Sequence, residues 1–461
     1  MCRHTAMLVL LGACARVAAP AASPPLVAAP PPPEVAAYGE TAARIVAAAL
    51  ADDGAYRKLA HLTDHIGARL AGSPALERAV AWGVETFRAE GHDNVRAETA
   101  MVPVWIRGAE SAAIVSPVER PIAILALGGS SATPPEGIEA PVVVVADWPA
   151  FEALGDGARG KIVLFNWKMP PYGPRGSGYG EAAKFRVDGP QKAAARGAVA
   201  ALIRSVTAHS LGTPHTGATK LDRPFPAAAV SVEDAELLAR LVAAGEVRVR
   251  LKLGNRTLPD APSANVVAEI VGREQPEEIV VIGGHLDSWD VGQGAHDDGA
   301  GVVMTMQAMT VLRKLGLHPR RTIRAVLFTN EENGQKGADA YAAAHAGERH
   351  VAALESDSGG FRPVGFGVKG GDARFAERVR AAAAMCATIG PIKVEVGSGG
   401  GTDIKPLADK GVPVIGLQVE GSKYFDYHHS AADTLDKVDP KELAMDVAAV
   451  AVVAFVLADA P

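Results

Sequence analysis

Residues 283–301, "GGHLDSWDVGQGAHDDGAG", set two histidines and four aspartates among six glycines. Imidazole and carboxylate without thiolate form a ligand set suited to zinc or manganese. Glycine, having no Cβ, lets the backbone turn tightly enough for such groups to converge. The stretch supplies His285 with Asp287 and, further on, Asp297 with Asp298. Three later segments add the same chemistry: Glu331 and Glu332 in "FTNEENG", Asp357 in "ESDSGG", and His428 and His429 in "YFDYHHSAADT". The Glu331–Glu332 doublet alone would read as a solvated loop. In company, these acids crowd negative charge in a way that is costly unless a cation sits among them. One zinc would use three of the residues and strand the rest, whereas two cations need a bridging group and a partly anionic shell. Asp287, two residues past His285, is placed to accept the second imidazole N–H and fix its tautomer.

The elements that must position these residues are legible in outline. From Asn265 onward, apolar runs "EEIVVIGG", "TIRAVLFT", "VAALESD" and "VPVIGLQVE" alternate with helical stretches such as "GAGVVMTMQAMTVLRKLG" and "DARFAERVRAAAAM". That alternation predicts an α/β domain, a mixed and mostly parallel sheet with helices on both faces. The acids and histidines fall just after the apolar runs, at the strand ends where such folds bind ligands. Residues 39–107 read as the N-terminal part of this domain, helical through "GSPALERAVAWGVETFRAEG" and then extended through "NVRAETAMVPVWIRG". Residues 108–258 change to short β-rich runs with one helix, "GPQKAAARGAVAALIRS", and hold no cluster of acid and imidazole. They read as an inserted accessory domain, leaving 259–461 as the main part with the metal site. The apolar run Val447–Leu457 is too short to span a bilayer and predicts a buried terminal helix.

Composition bounds the partners. The chain of 461 residues is 48% hydrophobic with a formal net charge of -6, and no block of Lys and Arg stands out. Nucleic acid and acidic membrane surfaces are therefore excluded as expected partners. Residues 1–20 read as a signal peptide, and Leu11–Gly12–Ala13–Cys14 resembles a lipobox in which Cys14 becomes the lipidated first residue; ordinary cleavage near "APAAS" is the alternative. Residues 21–38 are a Pro/Ala-rich tether. The protein is expected outside the cytoplasm, in the periplasm or cell envelope or secreted, touching the membrane only through that N-terminal lipid. Cys386 is then the one unlipidated mature cysteine, so no internal disulfide is expected.

Together, "GGHLDSWDVGQGAHDDGAG", "FTNEENGQKGADAY", "ESDSGG", "GGTDIKPL" and "YHHSAADT" resemble, in order, the co-catalytic di-zinc exopeptidases, the family of carboxypeptidase Q and the secreted bacterial leucine aminopeptidases, with the former branch closer. "LTDHIGARLAGS" at 62–73 resembles the family's N-terminal motif, and the insert a protease-associated domain. The resemblance implies two Zn²⁺, with Mn²⁺ or Co²⁺ as substitutes. His285 and Asp357 would hold one ion, Glu332 and His429 the other, and Asp297 would bridge them through a cis Asp297–Asp298 bond. It implies Glu331 as general base, a peptide or dipeptide substrate, and a homodimer. Within the family, strict aminopeptidase action is the alternative; a non-catalytic receptor on the same fold would have lost ligands that this chain retains.

The remaining residues carry weaker expectations. Asp433 is expected to support His429, and His296 and His428 to be non-ligands. Thr402 and Asp403 are expected either in a flexible loop or on a substrate-facing wall, and Tyr424 or Tyr427 either packs or donates to the oxyanion. His209 and His215 are expected on the surface.

Overall fold

The computed structural model describes residue 35, residues 37–173 and residues 177–461. The expected signal peptide with Cys14 and nearly all of the tether lie outside the described residues.

The chain forms two eight-stranded sheets. The first strand, β1 (Asp93–Ile106), belongs to the main sheet; β2 to β9 then build the second sheet between Glu110 and Leu253. The main sheet resumes with β10 (Arg256–Ile270), β11 (Gln275–His285), β12 (Arg321–Phe328), β13 (Arg349–Glu355), β14 (Pro363–Lys369), β15 (Lys393–Val396) and β16 (Val414–Val419). Its order is β1-β10-β12-β11-β13-β16-β14-β15. The centre, β12-β11-β13-β16, is parallel throughout, while β1 and β10 pair antiparallel with each other, β10 antiparallel with β12, and β14 antiparallel with β16. The sheet is thus mixed and mostly parallel.

Strand period two explains why the central runs are continuously apolar. In β11, Val280 and Ile282 face a core shared with helices Ala300–Lys314 and Pro440–Asp459, while Ile279 and Val281 face a second core under helix Lys336–Ala344. A strand buried on both faces needs no polar alternation. The terminal helix contains the expected run Val447–Leu457, every residue of it buried, and starts at Asp439, whose carboxylate accepts the N–H groups of Lys441 and Glu442.

The second sheet has its own apolar cores. One expectation within it fails. The helix predicted over "GPQKAAARGAVAALIRS" occupies Tyr179–Ala195 instead, and Ala200–Arg204 is a strand buried between two parallel neighbours. Gly197, at φ 76, turns the chain between them, and a run as apolar as "AALIR" serves equally as helix or as buried strand. A second finding ties the sheets together: Trp289, from the His285–Asp297 loop, is buried in the core of the second sheet. Gly128 makes room for it, since any Cβ there would collide with the indole.

Close packing where β11 meets helix Ala300–Lys314 depends on Gly301. A Cβ there would run into the Ser356 carbonyl and the Asp298 carboxylate. Gly301→Ala is expected to lower stability by about 1–3 kcal/mol in chemical denaturation. Gly39→Ala, where nothing lies within 4 Å, should leave stability unchanged or slightly raised.

Candidate metal centre

Five side chains from distant segments meet at the carboxyl ends of the central strands. His285 ends β11, and its Nε2 lies 3.3 Å from Asp297 Oδ1 and 3.6 Å from Asp357 Oδ1. On the other side of Asp297, Oδ2 lies 3.2 Å from His429 Nε2, which is 3.0 Å from Glu332 Oε2. Asp297 therefore stands between two sets, His285 with Asp357 and Glu332 with His429. The Asp297–Asp298 peptide bond is cis, and the two carboxylates diverge: Asp297 faces the histidines, while Asp298 accepts the N–H of His285 and of Gly301, each at 3.0 Å.

The donor chemistry fits divalent cations. His285 Nε2 and Asp297 Oδ2 are buried and find no hydrogen-bond partner among the described residues, an expensive arrangement for groups with lone pairs directed at shared space. Burial, reinforced by the Asp297 charge, pushes Glu332 well above the usual carboxylate range, and burial pushes Glu331 up to about 7. Carboxyls this crowded are relieved by positive charge, and oxygen with imidazole nitrogen suits zinc or manganese.

The supporting contacts differ from two expectations. Nδ1 of His285 is 3.0 Å from the main-chain carbonyl of Asp287, while that residue's carboxylate is 3.7 Å away. The Asp287 carboxylate instead accepts the N–H groups of Glu331 at 3.0 Å and Glu332 at 3.3 Å, and so orients the doublet. Two residues of spacing bring the carbonyl, nearer the backbone, to the ring first. Likewise Asp433 does not reach His429: it accepts the N–H of His296 at 2.7 Å and of Asp297 at 3.1 Å. The carbonyl facing His429 Nδ1 belongs to Thr216, at 3.3 Å.

His428 is buried and stacks on His429 at 3.5 Å between ring centroids, with Nε2 3.5 Å from Asp297 Oδ2. His296 points away: it stacks on Phe361 and accepts the Gly360 N–H at Nδ1. Thr402 lines the cleft, whereas Asp403 is buried behind it with both oxygens unpartnered among the described residues. Tyr424 lines the cleft and Tyr427 stacks near His296. His209 is exposed as expected; His215 is not, being 1% exposed with Nδ1 donating to the His428 carbonyl at 2.7 Å.

Sequence reasoning missed two groups. Arg69 is wholly buried and donates to the carbonyls of Leu286, Gln293 and Gly294 at 2.6, 2.8 and 3.0 Å, bracing the loop between His285 and Asp297. Its signal was an arginine inside the 62–73 motif. The insert contributes Tyr179 and Arg186 to the cleft, a cavity of about 1090 Å³ whose other wall includes Asp297, Glu331, Asp357 and His429.

An α/β sheet presenting paired carboxylate–imidazole sets around one shared aspartate, in a cleft large enough for a short peptide, defines a metal-dependent hydrolase. The sequence pattern of peptidase family M28 matches residues 265–454. Carboxypeptidase Q of Bos taurus is 40% identical over 92% of this chain and 90% of its own length. The chain belongs to peptidase family M28 and is a peptidase. The crystal structure of a peptidase M28 precursor from Shewanella amazonensis superposes with a TM-score of 0.88 at 37% identity, over 92% of this chain and 97% of the other. A zinc aminopeptidase from Bacillus subtilis, 22% identical, shares the fold with a TM-score of 0.64 over 86% of this chain and 94% of its own.

Removing the Asp433 carboxylate strips two buried N–H groups of their acceptor, one of them on Asp297. Asp433→Ala is expected to cost about 2–4 kcal/mol of stability, read by denaturant unfolding of the metal-free protein; a loss below about 0.5 kcal/mol would contradict this role.

Proposed function

We propose that the chain is a zinc-dependent exopeptidase that hydrolyses dipeptides or the terminal residues of short peptides at two divalent cations. The position of the Asp297 carboxylate, between His285 with Asp357 and Glu332 with His429, carries this reading. His285 and Asp357 would hold one cation, Glu332 and His429 the other, with Asp297 shared. When bound, the ions supply Lewis-acid polarisation of the scissile carbonyl and of water.

The chain's own residues do the rest. Glu331 is the general base: its carboxylate lines the cleft beside Asp357 and Thr402, and burial brings its pKa to about 7, suited to taking a proton near neutrality and returning it to the leaving amine. Asp287 holds Glu331 and Glu332 in register, so one carboxylate faces the cleft while the other faces His429. Tyr424 lines the same cleft and in this reading would donate to the developing oxyanion. The second sheet, with limits near 108 and 258, acts as a protease-associated domain closing the cleft through Tyr179 and Arg186. Outside the described residues, the leader and Cys14 would place the enzyme beyond the cytoplasm on a lipid anchor; no described helix is long and apolar enough to cross a membrane. A homodimer is part of the same reading.

Glu331→Gln is expected to retain both cations by elemental analysis while kcat falls at least about 10³-fold; a comparable rate would remove Glu331 as the base. Chelation should abolish turnover, and added Zn²⁺ restore it. A panel of dipeptides with free, N-blocked and C-blocked termini separates the specificities: cleavage only when both termini are free supports dipeptide hydrolysis, and tolerance of C-blocking supports aminopeptidase action.

A further inference from the structure

The turn that carries His429 is held from the second sheet. Thr216 N–H donates to the His429 carbonyl at 2.9 Å, and the Thr216 carbonyl faces His429 Nδ1 at 3.3 Å, a reciprocal tie between one residue of the insert and one of the metal centre. One residue earlier on each side, His215 Nδ1 donates to the His428 carbonyl at 2.7 Å. A carbonyl only accepts, so this nitrogen of His215 carries the proton; burial keeps the ring neutral, lowering its pKa to about 3. Arg186 completes the latch, with Nη1 3.4 Å from the Thr216 carbonyl and 3.3 Å from His429 Nδ1, and Nη2 donating to the Tyr179 hydroxyl at 3.0 Å.

The need for such a tie is visible in the backbone. His429 has φ 60, the left-handed region that residues with a Cβ adopt only at a cost. Asp433, four residues further on, is engaged with His296 and Asp297 instead. The turn has local bonds on either side of His429, from His428 N–H to the Tyr424 carbonyl at 2.9 Å and from Ser430 N–H to the Tyr427 carbonyl at 3.1 Å, while the main-chain carbonyl of His429 itself is held from outside by Thr216. The Thr216 carbonyl and Arg186 Nη1 both lie 3.3 Å from His429 Nδ1, so the insert holds this edge of the ring and keeps Nε2 directed at Asp297 and Glu332.

We propose that the inserted domain is a positioning element of the metal centre: through His215, Thr216 and Arg186 it fixes the His428–His429 turn and thereby sets the affinity of the cation held by Glu332 and His429. The proposal rests on the two-cation reading above. It assigns His215 and Arg186 an effect on one of two ions, which a general role in folding would not produce.

The test is a Zn²⁺ titration of the metal-free protein against a chromophoric chelator, without substrate. Wild type is expected to take up two equivalents; fewer would overturn the two-cation reading itself, and the proposal with it. In His215→Leu, one equivalent should weaken about 10–100-fold while the other changes less than about threefold. kcat at limiting Zn²⁺ should fall with KM little changed. His215→Asn, which keeps a donor near the position of Nδ1, should restore both. Exposed His209→Ala on the same domain should match wild type. If His215→Leu does not fold, Arg186→Met carries the same measurement. Two equivalents at wild-type affinity in the folded variant, or equal weakening of both, would overturn the proposal.

Discussion

Buried negative charge is the constraint around which this molecule is arranged. Asp287, Asp297, Asp298, Glu332 and Asp433 are all at most 6% exposed, and all lie at one end of the central strands. Carboxylates placed so deeply are tolerated only when each finds donors or a cation. The structure divides the task. Asp287, Asp298 and Asp433 spend their oxygens on main-chain N–H groups and so become structural staples. Glu332 gives one oxygen to the Trp289 N–H at 3.1 Å, and its other oxygen, with the Asp297 carboxylate, faces imidazoles, where positive charge balances them.

Arg69 has an unusual place in that balance. Its guanidinium makes no ion pair among the described residues, although Asp433, Asp287, Asp298 and Glu332 all act on it electrostatically. Instead it donates to carbonyls of the loop that joins His285 to Asp297. It thus supplies a fixed positive charge without taking a carboxylate away from the centre, and it braces the loop at the same time. A lysine could contribute the charge but not the planar spread of donors.

Much of this was readable from the chain alone, and the reason lies in which atoms do the work. His285, Asp297, Glu332, Asp357 and His429 meet through their side chains, and all but His429, which follows the short helix Tyr424–Tyr427, follow an apolar run or precede a helix, so type and position together singled them out. The main sheet was legible because its central strands are apolar on both faces. What escaped reading was carried by main-chain atoms or by the other domain. The Asp287 carbonyl, not its carboxylate, serves His285; the Thr216 carbonyl, not Asp433, serves His429. "AALIR" became a strand because Gly197 broke the preceding helix and two parallel neighbours awaited the run. His215 looked like a surface residue because nothing in "SLGTPHTG" records that the segment docks on another sheet.

The tie at residue 216 also bears on how such a chain drifts over time. Both of its links to His429 use backbone atoms, but the side chain is wholly buried and its hydroxyl donates to the Ala126 carbonyl at 2.7 Å, so a replacement must be small as well as keep its N–H. Selection at that spot would act on the path of the main chain together with the size of the side chain. Related chains could therefore exchange this residue only for another small one while keeping the same brace, and the brace itself, made of main-chain atoms, would leave little trace in their letters.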